Sequence, residues 1–215
     1  MQPNPNNYWI YTMSSNDNDQ LGQFWTSAAD FMKDAEAPYL EERHLETCRV
    51  LPSRFNILDR IPKGGVYVEV GTQTGSFAKE ILRRLAPKKL HIIDIDYTPF
   101  DAAFFAPLEQ SGQVQLHQGD SSTILASFPD TTFDMIYVDG DHSYAGVVKD
   151  LQQSLRKIKP GGYIVCNDYT AYSPIERCKY GIYKAVNEFC LEHSFRIEML
   201  GLHPWGYHDV ALRKM

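Results

Sequence analysis

The chain has 215 residues, 43% hydrophobic and 22% charged, with a formal net charge of −6, the composition of one ordinary globular domain rather than a disordered or fibrous chain. The acidic balance argues against nucleic acid as the main partner, and no stretch approaches the roughly 20 apolar residues of a membrane span. Four scattered cysteines (Cys48, Cys166, Cys178, Cys190) without a CxxC pair suit neither a zinc site nor a disulfide scaffold, and residues 1–7 lack the basic-then-apolar pattern of a leader, so a cytoplasmic location is expected.

Residues 1–60 mix aromatics (Tyr8, Trp9, Tyr11, Phe24, Trp25, Phe31, Tyr39) with charges. Weak helical patterns at 21–35 and 40–59 predict an N-terminal helical extension, acting as a lid or a homodimer contact. From Gly64 onward short apolar runs alternate with amphipathic stretches. The runs 66–70, 90–95, 114–117, 133–138 and 163–166 have the length and β-branched content of buried strands. One helical face carries Phe77, Ile81, Leu82 and Leu85. Another carries Val147, Val148, Leu151, Leu155 and Ile158, stopped by Lys159-Pro160-Gly161-Gly162. A further helix is predicted at 182–191. Such alternation implies βαβ units on a parallel sheet. The last two runs, 195–200 and 207–212, have only a short link around 203–206, which permits an antiparallel pair but no crossover.

The first apolar run ends in Glu69-Val70-Gly71-Thr72-Gln73-Thr74-Gly75, followed at Ser76 by a helix. Glycines at a strand-to-helix turn let the backbone approach a ligand closely, and open α/β sheets bind ligands beyond the carboxyl ends of their strands. The spacing is GxxxG, not the GxGxxG of a dinucleotide site. Asp94 ends the second run, about 20 residues on, where an acid can accept from two ribose hydroxyls. Asp120 and Ser121 follow the third run. Taken singly, Asp94 could be a loop residue and Asp120 a helix cap.

From residue 64 to the end, the chain resembles the class I S-adenosylmethionine-dependent methyltransferases. The resemblance implies a three-layer α/β Rossmann-like fold over 61–215, with a mostly parallel seven-stranded sheet and a C-terminal antiparallel hairpin. It implies S-adenosylmethionine as cofactor, with Glu69, Gly71, Thr72, Gly75, Ser76, Asp94, Asp120, Ser121 and Asp139 as its binding residues.

Two further clusters follow the fourth and fifth runs: Asp139-Gly140-Asp141-His142-Ser143-Tyr144 and Asn167-Asp168-Tyr169. Like charges packed together need a compensating cation or protons, and oxygen ligands of this kind suit Mg²⁺ or Ca²⁺. The clusters resemble the metal-dependent O-methyltransferases of the catechol and sugar-modifying types. That implies Asp139, Asn167 and Asp168 as metal ligands, with Asp141, or His142 as second choice, as general base; Asn167 replaces an acid of the sugar-modifying type. The expectation is methyl transfer to a hydroxyl of a small molecule, oriented by a divalent metal. A metal-independent N- or carboxyl-methyltransferase and a non-catalytic adenosylmethionine- or nucleotide-binding protein stay open.

Overall fold

Alternating side-chain direction along the strands sorts the apolar residues onto two faces of one sheet. In β2 (Val66–Val70), Val68 and Val70 join one core cluster, while Tyr67 joins the other. The computed structural model describes residues 36–215; the helix predicted at 21–35 and the aromatics before residue 36 lie outside the described residues.

The sheet also contains β1 (Arg49–Leu51), β3 (Lys89–Asp94), β4 (Val114–Gln118), β5 (Phe133–Val138), β6 (Ile158–Cys166), β9 (Phe195–Gly201) and β10 (Asp209–Lys214). Its order is β1-β9-β10-β6-β5-β2-β3-β4. Only β10 runs antiparallel, to β6 on one side and β9 on the other. A separate short hairpin pairs β7 (Tyr172–Ser173) with β8 (Cys178–Lys179). Helices α1 (Arg54–Leu58), α2 (Ser76–Leu85) and α3 (Ala102–Gln110) cover one face through Ile57, Phe77, Ile81 and Phe105. Helices α4 (Ser121–Ser127), α5 (Tyr144–Lys157) and α6 (Ile182–His193) cover the other through Leu125, Leu151 and Phe189. The three-layer, mostly parallel architecture with a terminal antiparallel hairpin is the one expected.

The sheet has eight strands, not seven. The extra one, β1, lies in a stretch predicted helical, of which only α1 and a 3₁₀ turn at Glu42–His44 are helical. Parallel pairing of Arg49–Leu51 with β9 overrides the weak helical pattern, and Pro52 follows at once, with no backbone N–H to continue either element. The sequence 159–162 stops α5 as predicted but sits inside β6. Phe133 pairs with Ile158 while Met135 pairs with Tyr163, so the intervening residues bulge out of the ladder. Among the described residues, no helix is long and apolar enough to cross a membrane.

Stepwise backbone bonds align the carboxyl ends of the central strands. Gly71 donates to the Ile93 carbonyl (2.8 Å), Asp139 to that of Val70 (2.8 Å) and Asn167 to that of Val138 (3.0 Å). Every sequence-predicted site residue therefore emerges along one edge of the sheet.

Candidate functional site

The turn after β2 is built around Gly71, whose φ is +78°; a Cβ there would sit 2.0 Å from the Asp139 carbonyl oxygen. Glycine is thus required by the close approach of the β2 and β5 ends. Gly75, also left-handed, opens α2 beneath the rings of Phe100 and Phe105. Asp94 fastens this turn: its Oδ2 accepts from the Thr72 (2.7 Å) and Gln73 (2.9 Å) amides, and its Oδ1 from that of Asp96 (3.0 Å). Ser76 shares a hydroxyl hydrogen bond with Thr74 at 2.8 Å. Glu69 is wholly buried. Its Oε2 accepts from the Thr72 hydroxyl at 2.7 Å, its Oε1 has no partner among the described residues, and burial pushes its pKa up to about 8.

Asp120 caps α4, accepting from the Ser122 hydroxyl (2.7 Å) and the Thr123 amide (2.8 Å), and these bonds hold its pKa down to about 2. Ser121 donates to Asp150 at 2.6 Å, a carboxyl that burial raises to about 6. The turn, Asp94 and Asp120 stand at the ends of β2, β3 and β4, which are neighbours in the sheet.

The second group forms where β5 and β6 end. His142 Nε2 lies 3.3 Å from Asp139 Oδ1 and 3.9 Å from Asp168 Oδ2, at ion-pair distance but without hydrogen-bond alignment. Its ring stacks on Tyr180 at 4.5 Å with an interplanar angle of 6°. Burial opposes the imidazolium, but Asp139, Asp168 and Glu176 outweigh it and raise the His142 pKa. Burial raises Asp139 as well, and burial with the Asp139 charge brings Asp168 up to about 6. Asp168 holds a left-handed backbone, φ +54°, which directs the chain out of the sheet.

Asp141 stands apart. It is exposed and accepts from the Ser143 amide (2.8 Å) and hydroxyl (2.9 Å) at the start of α5. Asn167 is buried and donates its amide to Asp209 Oδ1 at 3.2 Å. Among the described residues no group of three or more His, Cys, Asp or Glu side chains is spaced to hold a metal, and the amide of the third expected ligand, Asn167, is engaged with Asp209. The point between the Asp139 and Asp168 carboxylates is held by His142 itself.

Several site residues were invisible to sequence reasoning. Arg54, Tyr137 and Asp209 form a chain in which Arg54 donates to the Tyr137 hydroxyl (3.5 Å) and that hydroxyl to Asp209 (2.7 Å). Asp209 is raised to about 7 by burial. A cavity of about 270 Å³ opens here, lined by Arg54, Asn167, Asp168, Glu176, Tyr180 and Tyr207 among others. The Tyr207 hydroxyl shares a hydrogen bond with Ser173 (2.8 Å) and accepts from the Ile175 amide (3.2 Å), tying the β7–β8 hairpin over the cavity. Arg54 lies in the stretch 40–59 read as helical and Tyr137 and Asp209 within the runs 133–138 and 207–212, so no motif marked them.

Comparison with known proteins agrees with this layout. Residues 68–169 match a family model described as a methyltransferase domain. An uncharacterized protein of Acanthamoeba polyphaga mimivirus is 30% identical over 84 residues, a match covering 36% of this chain and 36% of the relative. Among solved structures, the pyocyanin biosynthetic protein PhzM superposes with a TM-score of 0.57 at 18% identity, over 75% of this chain and 54% of that one. The tRNA methyltransferase TrmK of B. subtilis superposes with a TM-score of 0.54 at 13% identity, over 77% and 67% respectively. This chain thus spans about a third of the viral relative and about half of PhzM, and the structural likenesses establish the fold. Residues 68–169 thus resemble a methyltransferase domain, and the chain carries the Rossmann-like α/β fold of these solved structures.

Proposed function

We propose that the chain methylates a hydroxyl of a small molecule held in the cavity, using S-adenosylmethionine, with His142 receiving the proton. The observation that carries this reading is the meeting of His142 with Asp139 and Asp168 at the cavity edge, beside the glycine turn. The cofactor residues fit their group. Glu69 keeps a buried oxygen without a partner among the described residues, suited to a cationic ligand, and Gly71, Thr72, Gly75, Ser76, Asp94, Asp120, Ser121 and Asp139 stand at or just past the ends of neighbouring strands. When bound, S-adenosylmethionine supplies an electrophilic methyl, so no nucleophilic side chain is needed.

The cavity walls hold the acceptor hydroxyl toward these strand ends, which makes the encounter intramolecular. His142 is the base because its Nε2 lacks a hydrogen-bond partner and its new charge would be flanked by two carboxylates. Its raised pKa means that the neutral, proton-accepting form grows as pH rises through that value, and the rate should grow with it. Asp141, engaged at the start of α5, takes no part. His142 stands between the two carboxylates expected to hold a metal, and no step passes through one.

The test is formation of S-adenosylhomocysteine with a panel of phenols and sugars, with EDTA or Mg²⁺ present. Turnover should persist in EDTA, and His142→Gln should lower kcat by about 10²–10⁴-fold. Turnover that requires Mg²⁺ and is lost in Asp168→Ala would replace this reading with the metal-assisted one. Methylation of amines alone would move the acceptor from oxygen to nitrogen.

A further inference from the structure

Arg54 is the cavity residue that methyl transfer leaves without a task. Its guanidinium carbon lies 4.8 Å from the Phe77 ring centroid and 5.6 Å from that of Phe55, so two apolar rings brace the plane. One N–H reaches the Tyr137 hydroxyl at 3.5 Å. Among the described residues, no carboxylate comes within the 4.0 Å of an ion pair with it. An arginine has five N–H donors in a rigid fork, so among the described residues most of this fork is unfilled on a half-buried side chain that lines the cavity. Burial opposes the charge, but Tyr137, Asp209 and Asp139 outweigh it and keep the group ionised. A braced, ionised fork with vacant donors matches a planar oxyanion in bidentate geometry.

We propose that Arg54 is a carboxylate-binding residue of this cavity. For the identity of the ligand, this rests on the methyl-transfer reading above. The carboxylate belongs to the acceptor or to the aminoacyl tail of the cofactor. The other lining residues come from the end of β6, the 172–179 hairpin and the loop before β10, not from the glycine turn, which favours the acceptor. Asp168 and Glu176 line the same cavity and would repel a second negative group. The acceptor is therefore a hydroxy acid with one carboxylate, its hydroxyl directed toward His142.

The experiment is calorimetric titration of the full chain, and of its Arg54→Met and Arg54→Lys variants, each checked for folding by circular dichroism. The ligands are para-hydroxybenzoate, para-hydroxybenzyl alcohol, S-adenosylhomocysteine and methylthioadenosine, which lacks the aminoacyl tail. The expected result is that para-hydroxybenzoate binds at least tenfold more tightly than the alcohol. Arg54→Met should erase that difference, Arg54→Lys should keep part of it, and neither should alter S-adenosylhomocysteine. A tenfold loss for S-adenosylhomocysteine in Arg54→Met, with methylthioadenosine unchanged, would assign the same role to the cofactor's carboxylate. If neither carboxylate ligand responds to Arg54→Met, the proposal is overturned. Failure of S-adenosylhomocysteine to bind the unaltered chain would sink the methyl-transfer reading instead, and the hydroxybenzoate arm would still decide the role of Arg54.

Discussion

Replacing Glu69 with glutamine should make the protein more stable above neutral pH and leave it almost unchanged in mild acid. Glu69 is fully buried with one oxygen unpartnered among the described residues, and its pKa stands at about 8 against an ordinary 4.5. An acid raised in the folded state binds its proton more tightly there than in the unfolded chain. Stability is therefore highest below the unfolded value, falls as pH rises from 4.5 to about 8, and levels off above. At about 1.4 kcal/mol per pH unit, the whole window corresponds to roughly 4–5 kcal/mol as an upper figure. Glutamine keeps the oxygen that accepts from Thr72 and never ionises, so it removes this loss alone. Asp150, Asp168 and Asp209 titrate in the same direction and His91, lowered to about 4 by burial, in the opposite one. The quantity to measure is therefore the difference between variant and parent, by urea unfolding followed by circular dichroism at pH 5 and pH 8.5 without cofactor. The two curves should nearly coincide at the lower pH and separate by a few kcal/mol at the higher. A constant difference across both would show that the pKa of Glu69 is not raised in the folded protein.

Gly71→Ala combines a left-handed backbone with a 2.0 Å clash against the Asp139 carbonyl, and should cost more than about 3 kcal/mol; a melting temperature within a few degrees of the parent would refute the packing argument. Asp94→Ala removes three backbone hydrogen bonds to a carboxylate, at about 1.5–3 kcal/mol for each such bond at most. It should loosen the glycine turn even without ligand, read as faster amide exchange at Thr72 and Gln73; unchanged exchange, with only cofactor affinity lost, would return Asp94 to a purely ligand-binding role.

The strand ends and the glycine turn were legible in the sequence because both are local. A run of buried β-branched residues and a glycine required at a strand end leave marks within a few positions. The same is true of the terminal pair, whose short link excludes a crossover. Helices α3 and α4 were not legible: α3 carries Pro107 inside it, and α4 spans only Ser121–Ser127. The site divided along the same line. Asp139 and His142 could be read as one cluster because they sit together in the chain, and they lie 3.3 Å apart in the fold. Arg54, Tyr137 and Asp209 come from α1, β5 and β10, and only strand pairing brings them into contact. Asp141 shows what adjacency leaves open: standing two residues from Asp139 says nothing of direction, and its carboxylate accepts from Ser143 at the start of α5.

The position of β10 sets a condition on synthesis. It lies inside the sheet, between β6 and β9, although it follows every other strand of that sheet in sequence. Until translation has passed Lys214, the partner surfaces of β6 and β9 have nothing between them, and β1, attached only through β9, is separated from the rest of the sheet. Asp209 belongs to that same strand, so Asn167 and Tyr137 acquire their shared partner at the same moment. A nascent chain stopped before β10 would hold its glycine turn but an open sheet edge, the state most exposed to pairing with a neighbouring chain. Closure of the sheet and assembly of the cavity floor are thus one event, and it waits for β10.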